Sequence, residues 1–334
     1  MKTREYWIDY LRALACVLVT IGHLLMSFQE ADIIGDKMVV PTFINLIYCF
    51  HVYIFFFCSG YLFQTKQPKT CFYRIEKCVN FLCLYIIFTG ITYVTKIIFS
   101  SSVNSTIDHS FFETLLKYPI NQMWYLYAIS VVFLFSKFID SEKSAYFVLG
   151  ISFLLKIISI CVIDWVIPIP INYLFENMIW FVAGQLFVYK KIVLSKRTTV
   201  ILALLFIVLF ACRTVYALDS RSLNAMLTLL GVGASIGIVY SLTKKRTAIR
   251  SVWKYLAKYM LQIYLLHTIC AAGIRAVLFR FGISHIIPHI VLGLIFSFVV
   301  PVVCAIIAER LWFLNIFFFP IKTIGERLSN RKRI

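Results

Sequence analysis

Runs of about 20 apolar residues recur along the whole chain, separated by short clusters of Lys, Arg, Asn, Pro and Gly. A helix of about 20 residues crosses a bilayer core of ~30 Å, because each residue rises ~1.5 Å. The breaks predict spans over residues 8–28, 42–63, 79–99, 122–139, 144–163, 171–189, 198–217, 222–243, 256–279 and 287–319. The last is longer than a crossing needs, so it either tilts or continues as an interfacial segment after Trp312. The expected fold class is all-α: a polytopic transmembrane bundle of about ten spans. Residues 1–334 are expected to form a single transmembrane domain, with no room left for a separate soluble one.

Composition excludes an ordinary soluble domain, since 61% of residues are hydrophobic and only 14% are charged. The net charge of +18 would raise nucleic acid as a partner on a soluble protein. Here the cations sit between apolar runs, which reads as topology and contact with the lipid bilayer, and no nucleic-acid partner is expected. Alternate ends of the ten spans hold 23 Lys and Arg, from Lys2 and Arg4 to Lys332 and Arg333, against 7 on the other set, from Lys37 to Arg280. That bias places both termini in the cytoplasm, and it alternates correctly only for an even number of spans. Residues 6–28 could pass for a signal peptide. They contain Asp9, Arg12 and His23, and no small-x-small cleavage site follows, so a retained span is expected. The ten cysteines show neither CxxC nor Cys/His zinc spacing, so they read as small buried hydrophobes and no metal site is expected.

Ionisable groups inside a span cost roughly 2.5 to 3.5 kcal/mol each at the helix centre, so they mark functional candidates. The first span has three. Asp9 and Arg12 are one turn apart, and His23 lies eleven residues beyond Arg12, which puts both on nearly the same face about 16 Å apart. Arg12 can snorkel and pair with Asp9, or serve a substrate. His23, several residues inside the outer end, can be a satisfied structural histidine or a general base. In the second span, His51 falls near the depth of His23 and Ser59 near that of Arg12; Ser59-Gly60 can equally be a small-residue packing contact. His267 lies near mid-depth as structural partner or cavity wall. Trp124 and Tyr125 fall at the outer interface, as aromatic belt or sugar platform. His285 and His289 read as solvated, Glu309 and Arg310 as a pair, and Asp164, Glu176 and Asp219 as loop or helix-end groups.

These residues carry a resemblance. Ile8-Asp9-Tyr10-Leu11-Arg12 through Gly22-His23, then Phe50-His51 leading to Phe55-Phe56-Phe57-Cys58-Ser59-Gly60-Tyr61-Leu62, resemble the acyltransferase 3 family of integral membrane O-acyltransferases. The likeness continues in Met123-Trp124-Tyr125-Leu126, Trp180-Phe181 with Gly184, and Ile263-Tyr264-Leu265-Leu266-His267. It is nearest to the fucose 4-O-acetylase-like and capsule or exopolysaccharide acetyltransferase branch. The resemblance implies acetyl transfer from cytoplasmic acetyl-CoA, as a co-substrate with no bound cofactor, to a sugar hydroxyl of a glycan or lipid-linked saccharide. It implies a multi-pass protein of a bacterial cytoplasmic membrane, with His23 and Arg12 catalytic. Arg74, Lys77, Ser59 and Tyr61 would bind the donor, and Asp9, His51, Trp124, Tyr125, Tyr264 and His267 would support the site or the acceptor. Two departures stand out. The Arg-x-x-Arg common in the family's cytoplasmic loop is here Arg74-Ile75-Glu76-Lys77, which keeps the charge but loses the bidentate fork. Tyr53 stands where close relatives tend to have Pro, which leaves the bend of the second span open.

The chemistry agrees with that expectation, since acyl transfer to an alcohol needs a base, donors for the oxyanion and a cationic site for the donor phosphates. A transporter or flippase for a lipid-linked saccharide or small solute is the competing reading. It would favour paired halves and Gly- or Pro-broken helices, and neither is evident in the sequence.

Overall fold

The computed structural model describes residues 6–34, 39–65, 70–99, 107–161, 169–244 and 250–331. They form α1 (Tyr6–Glu30), α2 (Val39–Tyr48), α3 (His51–Thr65), α4 (Cys71–Ile98), α5 (Phe111–Leu116), α6 (Trp124–Phe135) and α7 (Glu142–Cys161). Then follow α8 (Ile169–Tyr189), α9 (Lys196–Val215), α10 (Arg221–Thr243), α11 (Ser251–Arg280), α12 (Ile286–Arg310), α13 (Trp312–Phe318) and α14 (Pro320–Arg331). Among the described residues there is no strand, as hydrocarbon requires of an open chain: only a helix satisfies its backbone within one segment. Asp164 and both terminal basic clusters' outermost residues lie outside the described residues.

Eight helical stretches are long and apolar enough to cross a membrane: α1, α2 with α3, α4, α7, α9, α10, α11 and α12. The chain is a multi-pass membrane protein. Of the other two predicted spans, α6 has only 12 residues, about 18 Å of helix, and α8 has 21 but carries Asn172, Glu176, Asn177 and Gln185. Both nevertheless continue the alternation of chain direction. Trp124 meets Tyr173 near the starts of α6 and α8, while Phe133 meets Phe181 and Phe63 further along α6, α8 and α3, so these three run the same way. The start of α11 meets the start of α1 through a hydrogen bond from Arg250 N to Tyr10 Oη (2.9 Å), so those two are also parallel.

Two predicted spans are broken. The second is interrupted at Cys49 and Phe50, so α2 and α3 are separate helices. The last ends at Leu311, whose extended backbone (φ −115°, ψ 102°) turns the chain into α13. The cysteines are also less uniform than expected: Cys16, Cys49 and Cys58 are buried, while Cys71 and Cys161 are exposed.

The core gathers α1, α3, α6, α8 and α11, and α9 lies outside it with Val200, Leu204, Leu205, Ile207 and Val208 exposed. A face of that kind suits hydrocarbon as its neighbour. Helix association in lipid relies on close packing, because lipid tails are as apolar as leucine. The tightest approach is α3 on α8. A Cβ on Gly60 would stand 1.9 Å from Phe181 O, and one on Gly184 would stand 2.1 Å from Phe57 O. Each glycine thus lets the other helix's backbone in, which settles Ser59-Gly60 as a packing contact at Gly60. A similar contact joins α10 to α9, where a Cβ on Gly237 would lie 2.2 Å from Thr199 Oγ1. Just past the C-terminal end of α8, Lys190 pairs with Glu142 at the start of α7, which raises the Lys190 pKa.

Gly60→Ala and Gly184→Ala should each lower stability by about 1 to 3 kcal/mol or more, since a backbone oxygen cannot move aside as a side chain can. Thermal unfolding of detergent-purified protein checks this, with Gly150→Ala as the neutral control because its Cβ would meet nothing within 4 Å.

Candidate functional site

The site begins on α1, which packs against α2, α3, α10, α11 and α12. At one end Arg12 Nη1 lies 3.6 Å from Oδ1 of the buried Asp9, so the i,i+3 pair expected from spacing is formed. Arg12 is also an electrostatic neighbour of Cys16, of Cys58 on α3 and of Tyr125 on α6. Its side chain therefore faces protein.

Polar groups continue from there toward His23. Ser59 Oγ and Tyr125 Oη are 3.4 Å apart. The Tyr125 ring meets Tyr264 (5.5 Å between centroids), and Tyr264 meets His267 (6.3 Å). The Tyr264 hydroxyl donates to Gln122 O, and Gln122 Nε2 donates back to Tyr264 O (3.3 Å) and to Thr268 Oγ1 (3.0 Å). This exchange ties the short turn before α6 to α11. Tyr125 is therefore buried in the protein core and hydrogen-bonded, not part of an interfacial belt. Trp124 is half-buried, with its ring between Phe56 and Tyr173.

At the far end three histidines gather. His23 is half-buried, its ring 5.4 Å from that of His267 on α11. His267 Nδ1 sits 2.9 Å from both Ile263 O and Tyr264 O. Carbonyls only accept, so Nδ1 carries the proton and Nε2 keeps its lone pair. That Nε2 is buried and has no hydrogen-bond partner. His51 Nδ1 is likewise 2.8 Å from Ile47 O, across the break between α2 and α3. The break frees backbone acceptors in hydrocarbon, where each must be satisfied inside the protein. His51 covers Ile47 O together with the Phe50 N–H (3.3 Å), and Thr228 Oγ1 on α10 donates to Cys49 O (2.8 Å). Phe50 seats beside Gly231, where a Cβ would come within 2.8 Å of it. The break therefore has built-in partners, and it falls before Tyr53, which lies inside α3.

Sequence reasoning missed Tyr48, the last residue of α2. Its Oη is 3.1 Å from His23 Nδ1 and 3.7 Å from Met26 Sδ, and its ring is 4.8 Å from that of His51. Gly22 makes room for it, since a Cβ there would stand 2.9 Å from Tyr48 Cε2. One signal was available: Tyr48 precedes His51 by three residues, so a continuous helix would already have put both on one face.

The expected donor residues divide. Ser59 joins the polar run. Tyr61 is buried with its ring 5.0 Å from Trp7, near the Arg12 end of α1. Arg74 and Lys77 stand at the start of α4, which packs chiefly on α6. Arg74 is buried, paired with Asp140 and 5.8 Å from the Phe63 ring, and its Nε has no partner. Lys77 Nζ lies 5.4 Å from the Tyr73 ring centroid.

Two further expectations are corrected. His289 is buried, not solvated: its Nε2 is 2.9 Å from Ile283 O, and Phe279 and Phe28 pack on its ring. Glu309 pairs across helices with Lys258 (2.9 Å) and not with Arg310, whose adjacent position on a helix points elsewhere. Asp219 does lie beside a helix end, just before α10, with Arg213 and Asn224 as partners; Glu176, a third correction, stands two turns inside α8, half-buried and with Asn172 as partner. Among the described residues no group of three His, Cys, Asp or Glu is arranged to hold a metal ion. A separate cavity of about 700 Å³ lies between α6, α7 and α8, lined by Tyr127, Phe135, Phe147, Leu174 and other apolar side chains. It carries no titratable cluster.

A membrane-embedded imidazole cluster joined by buried polar groups to an arginine on the same helix suits group transfer. The acyltransferase domain model of the acyltransferase 3 family matches residues 5–307, nearly the whole chain. The protein is a membrane acyltransferase, and it belongs to that family. No curated protein and no solved structure matches the chain.

The freed carbonyls yield a prediction. Thr228→Val should cost about 1 to 3 kcal/mol, the penalty for a buried acceptor left without a partner, and His51→Ala should cost less, because the Phe50 N–H still reaches Ile47 O (3.3 Å). Thermal unfolding in detergent measures it; an unchanged midpoint for both would mean that water supplies the missing donors.

Proposed function

We propose that the protein moves an acetyl group from acetyl-CoA to a sugar hydroxyl of a cell-surface glycan or its lipid-linked precursor, with His23 as the general base. The observation that carries this reading is the polar run from Arg12 and Asp9 to His23 and His267. On this reading the donor's extended arm would lie along that run, with its charged end toward Arg12 and its thioester toward His23.

The steps balance without another reactant. His23 takes the acceptor hydroxyl's proton as the oxygen attacks the thioester carbonyl. The tetrahedral oxyanion collapses, the C–S bond breaks, and the thiolate leaves with the proton returned by the imidazolium. Direct transfer is preferred to an acyl-histidine intermediate because it needs no second nucleophile. Arg12, Arg74 and Lys77 supply cations on the side that the positive-inside bias assigns to the cytoplasm, where acetyl-CoA is found. Arg74 is engaged by Asp140, so donor phosphates would compete with that carboxylate for it. Trp124 is the aromatic surface most available to a sugar ring, being half-buried beside Tyr173. The fucose 4-O-acetylase-like and polysaccharide-modifying branch, in a bacterial cytoplasmic membrane, fits this acceptor class.

Membranes containing the protein should transfer labelled acetyl from acetyl-CoA to endogenous glycan, and His23→Ala, made at normal level, should lose at least ~100-fold of that rate. Full transfer by His23→Ala would remove it as the base. Arg74→Ala should raise the KM for acetyl-CoA several-fold, and an unchanged KM would take Arg74 out of the donor site.

A further inference from the structure

We infer that Tyr48 is a positioning residue for His23, holding the imidazole proton on Nδ1 so that Nε2 presents a lone pair to the interior. This rests on the reading of His23 as base.

The argument is a count of protons. Tyr48 Oη has one proton and lies within reach of two groups, His23 Nδ1 at 3.1 Å and Met26 Sδ at 3.7 Å. If the phenol donates to His23 Nδ1, the imidazole proton must sit on Nε2, and the ring offers no base to a hydroxyl. If the phenol donates to the thioether, it accepts from His23 Nδ1–H, and Nε2 is free. The second arrangement uses all three groups: the sulfur accepts, the phenol both donates and accepts, and the ring donates. It also agrees with His267, whose Nδ1 is committed to two carbonyls and whose Nε2 has no partner. A proton on His23 Nε2, with the two rings 5.4 Å apart, would have an acceptor close by. No hydrogen bond joins the two rings among the described residues. Two imidazole lone pairs in one place await a donor from outside the protein, as an acceptor hydroxyl would be.

The fold seats Tyr48 for this task. It is the residue at which α2 stops, the break behind it is held by His51 and Thr228, and Gly22 gives its ring a flat place on α1 one residue before His23. A tyrosine in this place acts through the histidine as the third member of a catalytic triad does, by fixing tautomer and orientation. The other titratable and charged groups near His23 are His267 on α11 and His51 on α3. Glu30 on α1, Arg275 on α11, which donates to Ser27 O (3.2 Å), and His289 on α12 lie one to two turns further along.

The test is nitrogen-15 solid-state NMR of histidine-labelled full-length protein in lipid bilayers, with the His23 signals assigned by their loss in His23→Asn. Wild type should show His23 as the single Nδ1–H tautomer, and Tyr48→Phe, which keeps the ring and loses only the hydroxyl, should show a mixture or the Nε2–H form. In the acetyl-transfer assay, Tyr48→Phe should lower the maximal rate ~10-fold or more with the KM for acetyl-CoA within twofold, since general-base catalysis as a whole is worth ~100-fold or more. An Nε2–H tautomer in wild type, or His23 signals that Tyr48→Phe leaves in place, would overturn the assignment whatever the rate does. A wild-type protein that moves no acetyl group would overturn the proposed reaction, while the nitrogen spectra still decide Tyr48.

Discussion

Where a helix stops inside hydrocarbon, its freed carbonyls must find donors from the protein, because water is absent and each orphan costs several kcal/mol. The junction of α2 and α3 meets that demand with two side chains and with the Phe50 N–H, which lies 3.3 Å from Ile47 O. His51 covers Ile47 O from one turn below, and Thr228 reaches Cys49 O from α10. The site depends on this junction. A straight helix through Cys49 and Phe50 would leave both carbonyls in its own ladder, and Tyr48 would not be the terminal residue laid against Gly22 beside His23.

Close packing then decides which polar groups meet. Gly60 and Gly184 bring α3 and α8 together at backbone distance, which fixes α3 between α1 and α8. From that position Ser59 faces Tyr125, and Cys58 faces Arg12. On the other side, the exchange between Gln122 and Tyr264 holds α6 to α11, so that Tyr125, Tyr264 and His267 follow one another toward His23. Small residues and buried hydrogen bonds together make one continuous polar interior in a molecule whose outer surface is apolar.

The pattern of apolar runs located nearly every helix, and insertion costs singled out Asp9, Arg12 and His23 before any contact was known. The failures have a common form. His289 was read as solvated because it follows an exterior loop, yet its ring bonds Ile283 O and packs under Phe279. Glu309 was paired with its chain neighbour, yet Lys258 reaches it from α11. Tyr125 was assigned by depth to an interface, yet depth does not say whether lipid or protein lies beside a ring, and here Ser59 and Tyr264 do. Each turned on which helix stands next to which.

By itself the sequence determined the helices, the membrane as their solvent, and the shared face of Arg12 and His23. Those follow from local quantities: hydrophobic run length, rise per residue and the eleven-residue spacing of two groups on one helix. Only the tertiary structure decided that Arg74 is held by Asp140, that the second span breaks before His51, and that Tyr48 and His267 flank His23. His23 and His267 are 244 residues apart in the chain, and nothing in either segment's periodicity says that α1 and α11 are neighbours. That adjacency comes from how the helices' surfaces fit, a property of the whole bundle.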